Sequence, residues 1–215
     1  MRPVRRVVYL HGFASSPGSS KAQRFARELQ ALGVAFVCPD FNLPEFGTLT
    51  VTRMIGQVER ELASGDGPVA LVGSSLGGFV AIHAARPPVD RVILLAPAVD
   101  FGGNRLHRFG EHSLDDWRRA GRIVVRHHAF DRDEPIGFGL CEDAARYDAF
   151  AASSTVPTLV FQGRHDDAVD PASVEAWGRG RKNADLRLLD DGHQLTASID
   201  LIWKESRGFL GFPRA

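Results

Sequence analysis

The chain has 215 residues, with 26 Lys+Arg set against 26 Asp+Glu, so its formal net charge is zero. That length suits one α/β domain with a sizeable core better than two, and the charge balance supplies no basic field for nucleic acid or an anionic membrane. A diffusible small molecule is the partner class left standing.

Val4 to Leu10 is an apolar run closed by His11-Gly12-Phe13 and followed by a Ser, Gly and Pro-rich loop from Ala14 to Ser20; it reads as a buried strand feeding a functional loop. Ser20 is placed to cap a helix reaching about Leu32, with Phe25, Leu29 and Leu32 at core-facing spacing and Gly33 as the stop. Ala35 to Cys38 predicts a second strand. Val51, Met54, Ile55, Val58 and Leu62 then form a helical stripe ending near Gly65-Asp66-Gly67-Pro68. Val69 to Val72 predicts the third strand, Leu76 to Arg86 its helix, and Arg91 to Ala96 a fourth strand with the nearly continuous apolar character of a central parallel strand.

The alternation breaks from Pro97 to about Val156. A short helix is expected around Ser113 to Ala120, then a hairpin of Arg122 to Phe130 and Ile136 to Cys141 around the polar Asp131 to Pro135, then a helix from about Glu142 to Ala152. A crossover of this length predicts a lid or binding element inserted within one 1–215 domain. Phe101, Trp117, Phe130, Phe138 and Leu140 are candidates to line an apolar pocket beneath it, or equally to pack it onto the core. Thr158 to Phe161 resumes as a fifth strand, Pro171 fits the first turn of a helix, Leu186 to Leu189 predicts a sixth strand, and Leu195 to Leu210 a final helix.

Gly73-Ser74-Ser75-Leu76-Gly77 fits G-x-S-x-G in one register, making Ser75 the candidate nucleophile. A serine hydroxyl must project from a sharp strand-to-helix turn, and small residues on either side let neighbouring backbone pass. Ser75 follows the third strand, Asp166 or Asp167 the fifth and His193 the sixth, so all three reach the carboxyl edge of a parallel sheet, where open α/β folds bind ligands. Imidazole can take the serine proton and return it to a leaving group, while a carboxylate holds the tautomer.

Cys38 and Cys141 are the only cysteines, too few for a disulfide framework and compatible with a reduced cytoplasmic setting; Cys38 reads as core rather than as a nucleophile. The basic Met1-Arg2-Pro3-Val4-Arg5-Arg6 runs into an apolar stretch far too short for a signal-peptide core, and no stretch resembles a membrane span. Asp190 and Asp191 read as turn carboxylates. His127-His128 invites a metal, but adjacent strand residues face opposite sides and no third ligand stands out, so no metal is expected.

The six-strand pattern, His11-Gly12-Phe13, Gly73-Ser74-Ser75-Leu76-Gly77-Gly78, Gly163-Arg164-His165-Asp166 with Val169, and Asp191-Gly192-His193 resemble the α/β-hydrolase superfamily. Within it, His11-Gly12-Phe13-Ala14-Ser15-Ser16-Pro17 with Ser20-Lys21-Ala22 is similar to small bacterial YqiA-like esterases. The resemblance implies an α/β-hydrolase fold, with a mostly parallel six-stranded sheet and helices on both faces. It implies Ser75, Asp166 and His193 as catalytic residues, with Asp166 favoured over Asp167 by its distance from Gly163 and Val169. It further implies an oxyanion hole from the Phe13 and Leu76 amides, His11 as a brace for the loop, and no cofactor. The expected reaction is hydrolysis of a small-molecule ester through an acyl-serine. A thioester substrate is the close alternative, and ligand binding without turnover on the same fold is the alternative from a different class.

Overall fold

The computed structural model describes residues 2–65 and 67–213, with Arg108 by its main chain only. Asp66, in the run expected from the sequence to end the second helix, and Met1 lie outside the described residues. In chain order the elements are β1 Arg6–Leu10, α1 Ser20–Ala31, β2 Ala35–Val37, α2 Val51–Ala63, β3 Val69–Ser74, α3 Leu76–Ala84, β4 Val89–Leu95, β5 Arg108–Phe109, β6 His112–Ser113, α4 Leu114–Ala120, β7 Arg122–His127, β8 Arg132–Gly137, α5 Gly139–Ala144, β9 Thr158–Gly163, α6 Pro171–Arg179, β10 Ala184–Leu189 and α7 Ile199–Phe209. A short 3-10 turn sits at Phe46–Thr48.

Six strands form one sheet in the order β2-β1-β3-β4-β9-β10, and every adjacent pair is parallel. The alternation of side chains along a strand sorts the core into two layers. Val69 and Leu71 of β3 face the layer built with Met54 and Val58 of α2, Phe79 and Val80 of α3 and Val174 of α6, whereas Ala70 and Val72 face Phe25 and Leu29 of α1 and Ile202 and Trp203 of α7. Helix α3 is apolar all round and buried except at His83, as a helix pinned beneath the middle of a sheet must be.

The regular elements fall where periodicity places them, with small shifts at their ends. Ser19 rather than Ser20 occupies the N-cap of α1, and it makes no side-chain cap bond. The final helix starts at Ile199, not Leu195, because Leu195 takes a left-handed backbone (φ 53°) that cannot continue into an α-helix.

The 97–156 segment departs further. The second strand of the hairpin is the polar Arg132–Gly137 itself, paired antiparallel from Arg122↔Gly137 to His127↔Arg132. Ile136 to Cys141 is therefore not a strand: it ends one and begins α5. The reason is exposure. Arg126 pairs with Asp131 and Asp133 and Arg132 with Glu134, so the charged strand faces solvent while Ile123 and Ile136 supply its buried side. The helix expected over 142–152 is Gly139–Ala144, followed by turns, and the small β5–β6 hairpin precedes α4. Segment and sheet share one apolar cluster through Trp117, Phe138, Leu140 and Ala144.

Candidate active site

The turn after β3 is held in a conformation that few serines adopt. Ser75 has φ 52° and ψ −118°, a strain of about 1–3 kcal/mol that the surroundings must impose. Ser75 N–H donates to Leu95 O at 2.9 Å, and its carbonyl accepts from the N–H groups of Gly78 (2.9 Å), Phe79 (3.2 Å) and Ala98 (3.1 Å). Close backbone approach explains two neighbours. A Cβ at Gly73 would collide with the main chain of Gly77 and Gly78, and one at Gly77 with the carbonyls of Leu10 and His11. The serine hydroxyl is thereby presented at the carboxyl edge of the sheet.

His193 arrives on the loop after β10. Asp191 fixes that loop by accepting from Gly192 N–H and Ser198 N–H, each at 2.8 Å, so it is a half-buried staple rather than a solvated turn carboxylate. Asp190 is exposed and pairs with His165 at 2.7 Å. From its loop the His193 ring reaches Ser75 Oγ with Nε2 at 3.2 Å and Asp166 Oδ2 with Nδ1 at 2.8 Å. Asp167, the alternative carboxylate, has no bond to the ring and lines the cavity instead.

Asp166 is buried and saturated. Its Oδ1 accepts from Ala168 N–H (2.9 Å) and Val169 N–H (2.8 Å), and its Oδ2 from Gln162 Nε2 (2.9 Å). Burial alone would raise its pKa. The hydrogen bond from His193, the Val169 N–H, the charge of the His193 ring and the Gln162 amide outweigh it and hold the carboxyl below its ordinary value. An ionised carboxylate against Nδ1 keeps the proton there and leaves Nε2 free to accept from Ser75.

The loop after β1 closes the other side. His11 is buried, accepts the Phe41 N–H on Nε2 at 3.0 Å and donates from Nδ1 to Gly12 O at 2.9 Å. Burial lowers its pKa, so the ring is a neutral brace. It orients the turn that brings Phe13 beside Ser75. The N–H groups of Phe13 and Leu76 donate to no other group among the described residues, and both residues line the cavity at Ser75.

Two cavities meet at Ser75, Phe13, His128 and His193. One, of about 620 Å³, runs under the serine-rich loop and reaches Lys21; the other, of about 900 Å³, is lined by Leu76, Phe101, Leu106, Phe109 and Val169. Of the aromatic and aliphatic side chains predicted for a pocket, only Phe101 lies here. Phe138 lines a separate cavity with Leu114 and Cys141. Trp117 and Leu140 are wholly buried in the core, with the Trp117 indole N–H donating to Ile136 O, and Phe130 is exposed and stacked on His127. Packing of the segment onto the sheet consumes Trp117 and Leu140, whereas Phe130 is spent on His127 of its own hairpin. His127 is buried against Asn42 Oδ1 (3.0 Å), while His128 opens onto both cavities. Among the described residues no group of three or more His, Cys, Asp or Glu is arranged to hold a metal. Burial pushes both cysteine thiols up to about 12, which suits core residues.

Lys21, Phe109 and His128 line the cavities, a place that sequence reasoning gave to none of them: it weighed His128 only as a metal ligand and Lys21 only as part of the family resemblance. Lys21 stands in a recognisable run yet carries no local sign of facing Ser75, and Phe109 lies in a stretch with no periodicity.

A wholly parallel six-stranded sheet carrying a serine elbow on its third strand and facing residues on the last two defines the α/β-hydrolase fold. The chain belongs to the Uncharacterised protein family (UPF0227), whose model matches residues 6–198. It is similar to the lipase LipV of Mycobacterium tuberculosis, 56% identical over 45 residues that make up 20% of this chain and 17% of that protein. It is also similar to the mitochondrial palmitoyl-protein thioesterase ABHD10 of Rattus norvegicus, 29% identical over 97 residues, 41% of this chain and 32% of the relative. The matches thus span well under half the length of either. Est1E from Butyrivibrio proteoclasticus superposes with a TM-score of 0.80 at 19% identity, over 97% of this chain and 87% of that one. No helix among the described residues is long and apolar enough to cross a membrane.

Proposed function

We propose that the protein is a serine hydrolase that cleaves carboxylic esters of small molecules through a Ser75 acyl-enzyme. The observation that carries the reading is the unbroken chain Asp166 Oδ2 to His193 Nδ1 and His193 Nε2 to Ser75 Oγ, at 2.8 and 3.2 Å, with two unused N–H groups at hand. Ser75 Oγ attacks the ester carbonyl as His193 Nε2 takes its proton. The oxyanion of the tetrahedral intermediate is held by the Phe13 and Leu76 N–H groups. Collapse expels the alcohol, protonated by His193, and leaves the acyl-serine. Water, deprotonated by His193, then attacks the acyl carbonyl; collapse returns Ser75 and releases the acid. Asp166 stays ionised throughout and stabilises the imidazolium. No cofactor enters these steps. The 97–156 segment acts as a cap that shapes access to the serine, and the reaction is assigned to the cytoplasm.

A thioester substrate is the second reading, favoured by the similarity to the rat thioesterase. Fluorophosphonate labelling, followed by turnover of p-nitrophenyl acetate to octanoate beside acyl-CoA, separates them. Labelling that is lost in Ser75→Ala, with p-nitrophenyl esters preferred, supports the esterase; preference for acyl-CoA supports the thioesterase. A folded wild type that binds ligands but neither labels nor turns over would instead be a binding protein on a hydrolase fold.

A further inference from the structure

The two cavities that share Ser75 differ in charge. The wider one presents Asp100, Asp167, Asp170 and Asp191, with no Lys or Arg among the described residues that line it. The narrower one is lined by no carboxylate at all among the described residues, and by Lys21, His128 and the hydroxyl-bearing Ser15, Ser16, Ser19 and Ser20. Lys21 is half-buried, and its Nζ donates to Gln194 O at 2.9 Å, which places the ammonium one residue along the chain from His193. Burial pushes its pKa down to about 8, so it is mostly charged at neutral pH.

The rest of that cavity is also built for oxygen ligands. Helix α1 opens into it with no side-chain cap and no acidic residue in its first turn, which leaves the positive end of the helix dipole uncompensated. Tyr9 lies on its floor, 1% exposed, with its hydroxyl interacting with Ser74.

We propose that the serine-rich cavity is an anion subsite, and that the natural ester joins an uncharged, apolar half to a half bearing a carboxylate or phosphate, which Lys21 and the first turn of α1 engage. The inference rests on the Ser75 reading above and sharpens it to a substrate class. Four carboxylates repel the anionic half from the wider cavity, whose Phe101, Leu106 and Phe109 take the apolar half. The position of Lys21 next to the His193 loop requires the negative group to lie within a few bonds of the scissile ester.

The test compares kcat/KM for four esters: neutral ethyl butyrate, monoethyl glutarate with the charge on the acyl half, and O-butyrylglycolate and O-butyryl 2-hydroxyethyl phosphate with it on the alcohol half. A charge-assisted contact of this kind predicts at least about a tenfold preference for one charged ester over the neutral one. The ester preferred tells which half enters the subsite and whether carboxylate or phosphate fits it. Lys21→Met should bring that ratio to within about twofold of one, chiefly through KM, and Lys21→Arg should retain it. General damage to the His193 loop would lower both rates and leave the ratio standing. A wild-type ratio near or below one, with ethyl butyrate still hydrolysed, overturns the subsite and spares the Ser75 reading; a preference that survives in Lys21→Met overturns it as well. Loss of fluorophosphonate labelling together with all turnover removes both.

Discussion

The sheet edge and the 97–156 segment solve the placement of side chains in opposite ways. At the edge, geometry is imposed by backbone: β1, β3 and α3 approach so closely that Gly77 has no space for a Cβ, and Ser75, His11 and Asp166 each have nearly every polar atom engaged. In the segment, geometry is imposed by packing of large side chains, Trp117 and Phe138 among them, and by a two-stranded hairpin whose outer strand is laced with exposed ion pairs. Such pairs contribute little each, about 0–1 kcal/mol. Positions fixed by backbone tolerate almost no substitution, whereas positions fixed by packing can relax. Under the function proposed above, the edge carries the chemistry and the segment selects what reaches it.

The largest test of that contrast is at the edge. Asp166→Asn should lower kcat about 10²–10⁴-fold through loss of the correct imidazole tautomer, whereas Asp167→Asn should change kcat by less than about threefold. Steady-state kinetics on a p-nitrophenyl ester measure both, and equal losses would mean that the hydrogen bond to His193 does not organise the reaction. Gly77→Ala comes next. The new Cβ meets main-chain carbonyls that cannot swing away, so thermal unfolding should show a loss of about 3 kcal/mol or more, or no folded protein. A variant of wild-type stability would refute the close-approach argument.

In the segment, Trp117→Ala should cost about 3–5 kcal/mol of stability because it empties a wholly buried site. The folded fraction should still label with a fluorophosphonate, since Trp117 touches neither Ser75 nor His193. Loss of labelling in the folded variant would show that edge and segment are not separable. The smallest effect concerns their junction. His83 of α3 packs its ring against Phe79 and against Tyr147 of the segment, and burial pushes its pKa down to about 4. Because the folded-state value lies below the unfolded one, the stability this residue contributes is fully present above about pH 6.5 and is lost as pH falls from there toward 4. His83→Gln should flatten that part of the stability–pH curve, read from urea midpoints between pH 7 and 4; an unchanged slope would assign the loss to His11 and His127, whose values burial also lowers.

Much of the edge was legible in the sequence. Strand runs, helical stripes and the G-x-S-x-G spacing are local signals, so they place Ser75, one of Asp166 and Asp167, and His193 at the ends of parallel strands, and the family resemblance favours Asp166. The segment was not legible in the same way. Arg132–Gly137 reads as a polar loop because a two-stranded sheet with one face in solvent has no apolar alternation to reveal it. Trp117 and Leu140 read equally well as pocket wall and as core, since side-chain type does not say which neighbour arrives. The hydrogen bonds of Asp166 distinguish it from Asp167, a choice between adjacent acids that local pattern cannot make.

By itself the sequence determined the order of the strands along the chain, the helices between them and the elbow, because each depends on contacts a few residues apart and on backbone preferences. Only the tertiary structure decided the spatial strand order β2-β1-β3-β4-β9-β10, the 3.2 Å meeting of His193 with Ser75 across 118 positions of chain, and the joining of Lys21 to Gln194 across 173. Those depend on how the crossovers stack, and stacking is settled by the shape and burial of whole layers rather than by any stretch of residues read alone.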